Sequence, residues 1–467
     1  MPQSPTVGLP KRFPLITLPE NRGTDATKDS KLVNCYVEKV EDGTYWIYKR
    51  AGTLRATQPA GAAATGLGMF NWLGDIYSIF ASTLYKNGVA VTGTVDSTSS
   101  YRFASCLGAT PRLLLGNGVA AYYYDTSGGL VQITDGDFPT SFVKGWSYLD
   151  GTIYVGTPNA QIQGSDINDP ANWNPLNVIT AQIEPDLGVG LSKQLVYTVM
   201  FKQWSTELFY DAGNATGSPL GTVQGAKANF GCVTSDSIQS IDGILIWVCT
   251  NQSASTQVIK MEGTKVEIIS TDPVERLLDN SDFSITYSLQ FKNVGHRFYI
   301  ITCKTSNLTL AYDLDQKMWS QWTDTDGNYF PFVSSTYNSV TLRHIFQHES
   351  DGYLYLLNEA YYTDNGAVIT ADIVTPNFDG EVYRRKQMTM MKFVADQTVG
   401  SVLQVRKNDS DYALDKWSNF RLVDLSKKQP VLTNNGSFVR RAYNLRHQSA
   451  TAFRIKAVEL QLDLGTL

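Results

Sequence analysis

Residues 110–134 read TPRLLLGNGVAAYYYDTSGGLVQIT. Two runs of β-forming residues, Arg112–Leu115 and Ala120–Tyr124, are separated by a Gly-Asn-Gly turn, and a Ser-Gly-Gly turn follows the second run. Short runs rich in Tyr, Val, Leu and Ile between glycine-containing turns are typical of antiparallel strands. The stretch therefore predicts a pair of hairpin-connected strands followed by a third strand.

The same order of turn, apolar strand, turn and polar-aromatic strand recurs at roughly 40–50 residues, a period typical of repeat architectures. The repeats lie at 73–91, 110–134, 148–167, 192–213, 241–269, 295–322 and 343–363. Such repeats of short strands favour the blades of a propeller over the alternative, an array of β-sandwiches. The sequence thus predicts an all-β fold with a six- or seven-bladed β-propeller, and one short helix at Pro273–Leu278 capped by Asp272.

Two flanks do not follow the repeat, so the chain is divided into three predicted domains. Residues 1–60 form an N-terminal arm with a Pro-rich lead-in and a hairpin whose turn is Glu41-Asp42-Gly43, because Asp-Gly favours tight hairpin turns. Residues 61–379 form the propeller. Residues 380–467 form a C-terminal β-sandwich, since their last strand, FRIKAVELQLDLG, alternates apolar and polar residues.

The composition excludes several classes of protein. Of the 467 residues, 42% are hydrophobic and 18% are charged, which argues against a disordered chain. No apolar run is long enough for a transmembrane helix, and the N-terminus does not resemble a signal peptide, so direct membrane insertion is not expected. The five cysteines are scattered and form no C-x-x-C pair, so we expect buried or partly buried free thiols.

The net charge of −5 conceals an uneven distribution along the chain. Residues 1–60 carry a formal charge of +3, residues 61–379 carry −15, and residues 380–467 carry +7. An acidic centre therefore lies between two basic ends. This overall acidity argues against a protein that binds nucleic-acid phosphates over most of its surface.

A search for catalytic and metal-binding patterns gives only weak candidates. Gly188-Val-Gly190 lacks the context of a phosphate-binding loop, and a turn is the simpler interpretation. His344 and His348, with Glu349, would share a strand face and offer zinc ligands, but ordinary surface histidines are the favoured interpretation. Asp313 and Asp315 would suit a glycosidase, yet aspartates that follow a strand usually form turns.

Aromatic clusters give a second set of weak candidates. Tyr122–Tyr124 and the pair Trp319 and Trp322 could stack on sugars or bases, but packing between propeller blades requires the same residues. Ser165–Trp173 only partly matches the aspartate box of sialidase-type propellers, because its spacing differs and its glycine is missing. The sequence therefore predicts no enzyme activity, no catalytic, cofactor-binding or metal-binding residue, and no cofactor.

Residues 145–250 carry ordered landmarks of a known family. They comprise Ser165, Asp166, Asp169, Trp173, Pro185, Asp186 and Gly188, followed by Ser205, Thr206, Glu207, Leu208, Phe209, Tyr210 and Gly213. With the opening VNCYVEK and YKRAGTL, where Ala51 replaces a frequent proline, and the final strand, the chain resembles the tail hub proteins of short-tailed bacteriophages. These are also called packaged-DNA stabilisation or nozzle proteins.

The resemblance implies a structural virion protein of the phage tail, assembled in the host bacterial cytoplasm. It implies a homohexamer that joins the portal and its adaptor, the head-tail connector, to tail needle, tailspike or fibre proteins. Double-stranded DNA would be retained above the ring and would pass through its lumen without sequence-specific binding. A tail-associated propeller enzyme, or a glycan-binding module acting on host surface polysaccharide, is the alternative function.

The charge distribution leads to two hypotheses for such a ring. Acidic groups within 61–379 would line the lumen, because an acidic wall repels phosphates and lets DNA slide. The basic C-terminal region would face an acidic partner ring, although a solvated basic face is the simpler interpretation. The basic residues of this region include Arg384, Arg385, Lys386, Arg440, Arg441 and Arg446.

Overall fold

The computed structural model describes residues 11–13, 15, 30–41, 43–225, 228–253 and 255–464. Most of the predicted Pro-rich lead-in, and Asp42 of the predicted hairpin turn, lie outside these residues. The chain divides into two compact units. The propeller unit contains Arg55–Asn307 and Pro331–Leu357, and the sandwich unit contains Leu308–Phe330, Asn358–Leu467 and the described residues before Arg55.

The propeller unit is a series of antiparallel strand groups, which we number as blades 1–7. Blades 1 to 5 each have four strands that pair in chain order. Their bounds are Gly66–Trp72, Asp75–Phe80, Thr83–Lys86 and Val89–Ala90 in blade 1; Arg102–Cys106, Arg112–Gly116, Ala121–Asp125 and Gly129–Gln132 in blade 2; Ser147–Leu149, Thr152–Gly156, Gln161–Asp166 and Asp169–Thr180 in blade 3; Gly188–Gln194, Tyr197–Lys202, Thr206–Asp211 and Leu220–Thr222 in blade 4; and Gln239–Ile241, Ile244–Thr250, Thr256–Glu262 and Lys265–Ile268 in blade 5.

Within this unit, blade 6 contributes Thr286–Asn293 and His296–Cys303. Blade 7 contributes Phe332–Asn338, Arg343–His348 and Leu354–Asn358. The prediction of an all-β protein with a six- or seven-bladed propeller is confirmed, and the described part of the unit contains seven blades.

The first strands of the blades close into a ring. Neighbouring first strands are joined by hydrogen bonds or close contacts between Leu67 and Tyr101, Arg102 and Trp146, Lys144 and Leu191, Gly190 and Ile238, Gln239 and Ser288, Gln290 and Ser335, and Ser334 and Met69. The last pair joins blade 7 back to blade 1. The first strand of each blade is a short edge that faces its neighbours in the ring, an arrangement by which propellers protect their sheet edges.

Gln347 fastens blade 7 to blade 1 at this closure. The side chain is fully buried; its Nε2 donates to the Ile79 carbonyl at 2.7 Å, and its Oε1 accepts from the Gly68 N–H at 2.8 Å. Gln347→Ala removes both of these buried hydrogen bonds, so we expect the free energy of unfolding to fall by about 2–4 kcal/mol. Urea denaturation measures this change. The exposed Gln132→Ala should alter the same quantity by less than about 0.5 kcal/mol, and an equally small change at Gln347 would contradict the closure.

The helix Asp272–Asp279 follows blade 5 and packs Val274, Leu277 and Leu278 into the interior. The predicted helix is confirmed, but the prediction that Asp272 caps it was wrong. Thr271 occupies the extended N-cap position, and Asp272 lies in the first turn. A carboxylate in the first turn is favourable through the helix dipole, so the acidic residue is one position later than a cap would place it. Two short 3-10 turns, Ser235–Ser237 and Leu414–Lys416, are also present.

The sandwich unit packs two sheets around one apolar core. In the first sheet, Cys35–Lys39, Tyr45–Lys49, Arg454–Leu464, Lys386–Ala395 and Val431–Phe438 pair in that order, and Lys11–Phe13 also pairs with Arg454–Leu464. In the second, Leu308–Asp313, Met318–Gln321, Lys31–Val33, Ala371–Val374, Ala442–His447, Val402–Asn408 and Arg421–Asp424 pair in that order. The remaining strands are Gly52–Thr57, Thr363–Asp364 and Ala367–Val368.

The core of the sandwich combines distant parts of the chain. Ile47, Phe393 and Leu460 of the first sheet are buried in one cluster with Ile373 and Leu445 of the second. This confirms the predicted β-sandwich and the predicted hairpin, which pairs Val37 with Ile47 and adds to the same sheet as the C-terminal strand. The division of the chain into 1–60, 61–379 and 380–467 stays a prediction, and the compact units are assembled from interleaved segments.

Candidate functional site

Three ionisable side chains of blade 4 and its lead-in meet in the interior. Lys202 ends the second strand of the blade, Glu207 lies in the third strand, and Asp186 lies in the segment that enters the first strand. The Lys202 Nζ lies 2.9 Å from Asp186 Oδ1 and 2.6 Å from Glu207 Oε1, and all three side chains are almost completely buried. We call these three residues the Lys202 cluster.

The Lys202 cluster also binds the backbone around it. Lys202 Nζ donates to the Glu184 carbonyl at 2.7 Å, and Glu207 Oε1 accepts from the Ile183 N–H at 3.1 Å. Asp186 Oδ2 accepts from the N–H groups of Trp204 and Ser205 at 2.7 and 2.9 Å. Burial acts to raise the pKa of Asp186, but the hydrogen bonds from Lys202, Trp204 and Ser205 outweigh it and hold the pKa below its usual value.

The result of these bonds is a fixed surface segment with an apolar face. Ile183, Leu187 and Trp204 are 46%, 52% and 42% exposed, directly beside residues that the Lys202 cluster holds in place. We call these three residues the Trp204 patch. A recess of about 450 Å³ adjoins it, lined partly by Asn229 and Asn251. Exposed aromatic and aliphatic side chains on a rigid support are typical of protein contact surfaces.

Sequence reasoning found Asp186, Ser205 and Glu207 as family landmarks but missed Lys202. A signal for it exists, because Lys202 is the lone cation in the apolar run VYTVMFKQW. A charge inside a buried strand needs a partner, and Glu207 on the next strand supplies one. Gly188-Val-Gly190 forms part of the first strand of blade 4, and a Cβ at Gly188 would lie 2.3 Å from the Thr157 carbonyl oxygen. Its role is close packing.

The two histidines considered as zinc ligands lie in the second strand of blade 7, with aromatic neighbours. His344 contacts the rings of Phe291 and Tyr337, and its Nε2 accepts from the Lys292 N–H at 3.2 Å. Burial lowers the pKa of His344 to about 4, and burial also lowers that of His348. Both are therefore partly buried packing residues rather than ordinary surface histidines. Within the described residues, no group of three ionisable ligands is suited to a metal ion.

Asp313 and Asp315 form a turn at the end of a strand, which was the simpler of the two interpretations of the sequence. Asp313 Oδ1 accepts from the N–H groups of Asp315 and Gln316 at 3.0 and 3.2 Å, closing the turn between Leu308–Asp313 and Met318–Gln321. Trp319 and Trp322 are buried in the sandwich unit, at 1% and 3% exposure. Neither tryptophan is available to stack on a ligand.

The tyrosines of blade 2 pack between blades, as predicted. The ring of Tyr124 lies 5.4 Å from that of Tyr77 and 6.0 Å from that of Trp72, both in blade 1. Ser165–Trp173 forms a hairpin in blade 3, where the buried Trp173 donates its Nε1–H to the Pro170 carbonyl at 2.9 Å. These residues hold the blade together.

Comparison with known proteins adds the family. A family model described as "Bacteriophage P22 Gp10, beta-propeller", of the phage stabilisation type, matches residues 33–362. The chain belongs to this family. It is accordingly a structural phage β-propeller protein of the virion, from a family concerned with stabilising packaged DNA. A comparison with curated proteins found no match.

Two solved structures show a distant likeness to this chain. The extracellular domain of the hybrid two component system BT4673 from B. thetaiotaomicron is 9% identical, with a TM-score of 0.44, over 75% of this chain and 44% of its own. Virginiamycin B lyase from Staphylococcus aureus is 8% identical, with a TM-score of 0.43, over 66% of this chain and 99% of its own. At this level of identity and superposition the likenesses carry no information about function.

In this member of the Gp10 β-propeller family, the basic C-terminal residues separate into two groups. Arg441 and Lys386 are buried, at 0% and 1% exposure, so the proposal that they face a partner ring was wrong for these two residues. Arg441 is bound to Asp409 within its own unit, and Arg446 to Asp372 at 2.9 Å. Arg384, Arg385 and Arg440 remain exposed.

The cysteines of this Gp10-family member are all buried, and its described helix is short. All five cysteines are free and buried: Cys35, Cys106, Cys232, Cys249 and Cys303. Burial raises the pKa of each thiol, so all five stay protonated at neutral pH. Among the described residues, no helix has the length and apolar character that crossing a bilayer requires.

Proposed function

We propose that the protein is a tail hub, or nozzle, that joins the portal–adaptor complex to the distal tail, retains packaged DNA and forms the conduit for genome ejection. The observation that carries the proposal is the family match over residues 33–362. The propeller unit has an exposed apolar patch and the sandwich unit has an exposed basic loop, so each unit supplies a surface for contacts. The proposal includes a homohexamer assembled in the host cytoplasm, with needle, tailspike or fibre proteins attached.

The oligomeric state tests this proposal most directly. Native mass spectrometry and negative-stain imaging of the purified protein, alone and mixed with the adaptor ring, are expected to show six copies on the adaptor. A protein that stays monomeric in both samples contradicts the tail hub. Depolymerisation of host surface polysaccharide by that monomer would support the propeller enzyme instead.

Double-stranded DNA is the proposed content of the hexamer lumen. The −15 charge of residues 61–379 supports an acidic wall, because like charge keeps phosphates from binding and lets the duplex slide. An electron cryomicroscopy map of the hexamer is expected to show more acidic than basic side chains along the lumen. A neutral or basic wall contradicts this part of the proposal.

The exposed arginines of the sandwich unit are the proposed contact to an acidic partner ring. Tyr383, beside Arg384 and Arg385, is 83% exposed, so the three form an accessible basic-aromatic segment of the kind enriched in interfaces. Reversing both charges, Arg384→Glu with Arg385→Glu, is expected to weaken adaptor binding at least tenfold while leaving the unfolding temperature unchanged. Binding is measured by biolayer interferometry at low salt.

A second basic pair gives the matched control. Lys427 and Lys428 are also adjacent, exposed and in the sandwich unit. Lys427→Glu with Lys428→Glu makes the same change in net charge, so a specific contact predicts a much smaller effect. Equal weakening by the two double variants would mean that only total charge matters, and would remove the Arg384–Arg385 contact from the proposal.

A further inference from the structure

The first strands of the seven blades surround a cavity of about 270 Å³. Each blade contributes to its wall, and hydroxyl groups are frequent there, including those of Ser192, Ser240 and Ser335. The cavity has room for a group as large as a side chain and contains donors that would bind an anion. It lies apart from the Lys202 cluster, with which it shares no residue.

The wall of this cavity is positively charged. Arg102 and Lys144 line it, and no acidic residue does. Both cations share one carboxylate, since Asp236 lies 2.7 Å from Lys144 Nζ and 4.0 Å from the Arg102 guanidinium. Asp236 borders a second, smaller cavity of about 30 Å³ instead. Arg102 lines this smaller cavity as well. Two cations with one carboxylate leave one positive charge in excess at the wall of the larger cavity.

The turns after the first strands form an apolar rim at one end of the ring. Each turn follows the cavity-lining residues of its own strand by a few positions, so all of them emerge on the same side. Five of the seven turns present aliphatic side chains between 58% and 81% exposed: Leu73, Leu107, Leu195, Val196, Val294, Val340 and Leu342. Asp150 and Asp242 occupy the turns of the other two blades.

The conformation of these turns is unfavourable for the aliphatic residues that occupy them. Leu73, Leu195, Val294 and Leu342 have φ between 47° and 54°. This left-handed region is costly for leucine and most costly for β-branched valine, and glycine, asparagine or aspartate would fit it better. These largely exposed residues supply apolar surface for a partner at a cost to their own turns.

We propose that the axial cavity receives the acidic side chain of a protein segment whose neighbouring residues are apolar. The carboxylate lies against Arg102 and Lys144, and the apolar neighbours lie against the rim. Charge complementarity selects an acidic group, because the two charged residues of the wall, Arg102 and Lys144, are both cations. A DNA duplex is too wide to place its phosphates in this cavity. The aliphatic side chains of the rim provide no hydrogen-bond donor or positive charge that would bind a polyanion. The inference is independent of the hexamer and of the adaptor.

The test uses the full-length protein and two capped tripeptides, acetyl-Leu-Asp-Leu-amide and acetyl-Leu-Asn-Leu-amide. Their dissociation constants are measured at low salt by saturation-transfer NMR titration. The aspartate peptide is expected to bind at least tenfold more tightly than the asparagine peptide, because only the carboxylate pairs with the two cations. Equal binding of the two peptides would overturn the proposal, as would tighter binding of inorganic phosphate than of the aspartate peptide.

Three variants locate the binding. Arg102→Gln removes a cation and is expected to weaken binding of the aspartate peptide at least tenfold. Ser240→Trp keeps both cations but fills the cavity from its exposed edge, so it should abolish binding even if Arg102→Gln fails to fold. Lys265→Gln removes an exposed cation from the last strand of blade 5 and is expected to change nothing. Undiminished binding by Ser240→Trp would overturn the assignment to this cavity.

Discussion

Lys202→Met is expected to lower the free energy of unfolding by about 3–5 kcal/mol, the usual effect of removing one partner from a buried ion pair. Methionine nearly matches the length of lysine, so the loss comes from charge rather than from a cavity. The variant leaves Asp186 and Glu207 buried without their cation. It also removes the hydrogen bond to the Glu184 carbonyl. Guanidinium chloride denaturation followed by tryptophan fluorescence measures the change.

Two controls separate this effect from a general effect of losing a lysine. Lys193→Met, at an exposed position in the first strand of the same blade, should change the stability by less than about 0.5 kcal/mol. The triple variant Lys202→Met, Asp186→Asn, Glu207→Gln should be more stable than Lys202→Met alone, because no buried charge is then left unpaired. If Lys202→Met alone were as stable as the parent protein, the ion cluster would not be what fixes this segment.

Arg441→Glu is the second variant with a large expected effect, and its neighbour Arg440 provides the comparison. Arg441 is fully buried, donates to both Asp409 carboxylate oxygens, and binds the Asn435 carbonyl at 2.7 Å. A glutamate there faces Asp409 as a like charge, so we expect a loss of about 3–5 kcal/mol. Thermal unfolding by differential scanning calorimetry measures it.

Arg440→Glu makes the same change in charge at the preceding residue. Arg440 is exposed, and its guanidinium lies 3.7 Å from the similarly exposed Asp411, so the change should cost less than about 1 kcal/mol. Similar destabilisation by both variants would contradict the assignment of Arg441 to the interior. The pair also shows why charge reversal at Arg441 cannot test tail assembly, since unfolding would look like lost assembly.

Much of the fold follows from local sequence, because each blade is built from neighbouring hairpins. The strands predicted at Arg112–Leu115 and Ala120–Tyr124 are observed at Arg112–Gly116 and Ala121–Asp125, and glycines occupy the turns that flank them. The strand pairing of the sandwich is harder to predict from sequence. Lys31–Val33 pairs in parallel with Met318–Gln321 and antiparallel with Ala371–Val374. Such pairings depend on contacts between distant segments, which periodicity does not report.

The candidate site also has a part that can be predicted from local sequence and a part that depends on contacts between distant segments. Asp186 and Glu207 are recognisable from their order in the chain, whereas their shared partner Lys202 depends on how two strands and an entering segment meet. The same is true of Arg440 and Arg441, which look alike in sequence. Arg440 is exposed to solvent, whereas Arg441 is buried in the interior. Only exposed charged residues can contact a partner. A count of charges along one sequence does not show which residues are exposed and which are buried.

The five buried thiols have a consequence for the life of a virus particle. Reducing surroundings keep thiols free, whereas oxidising surroundings favour disulfides. Protonated thiols that solvent does not reach neither form disulfides nor exchange them. The protein is therefore expected to keep the same covalent structure in reducing and in oxidising surroundings, with all five thiols unmodified.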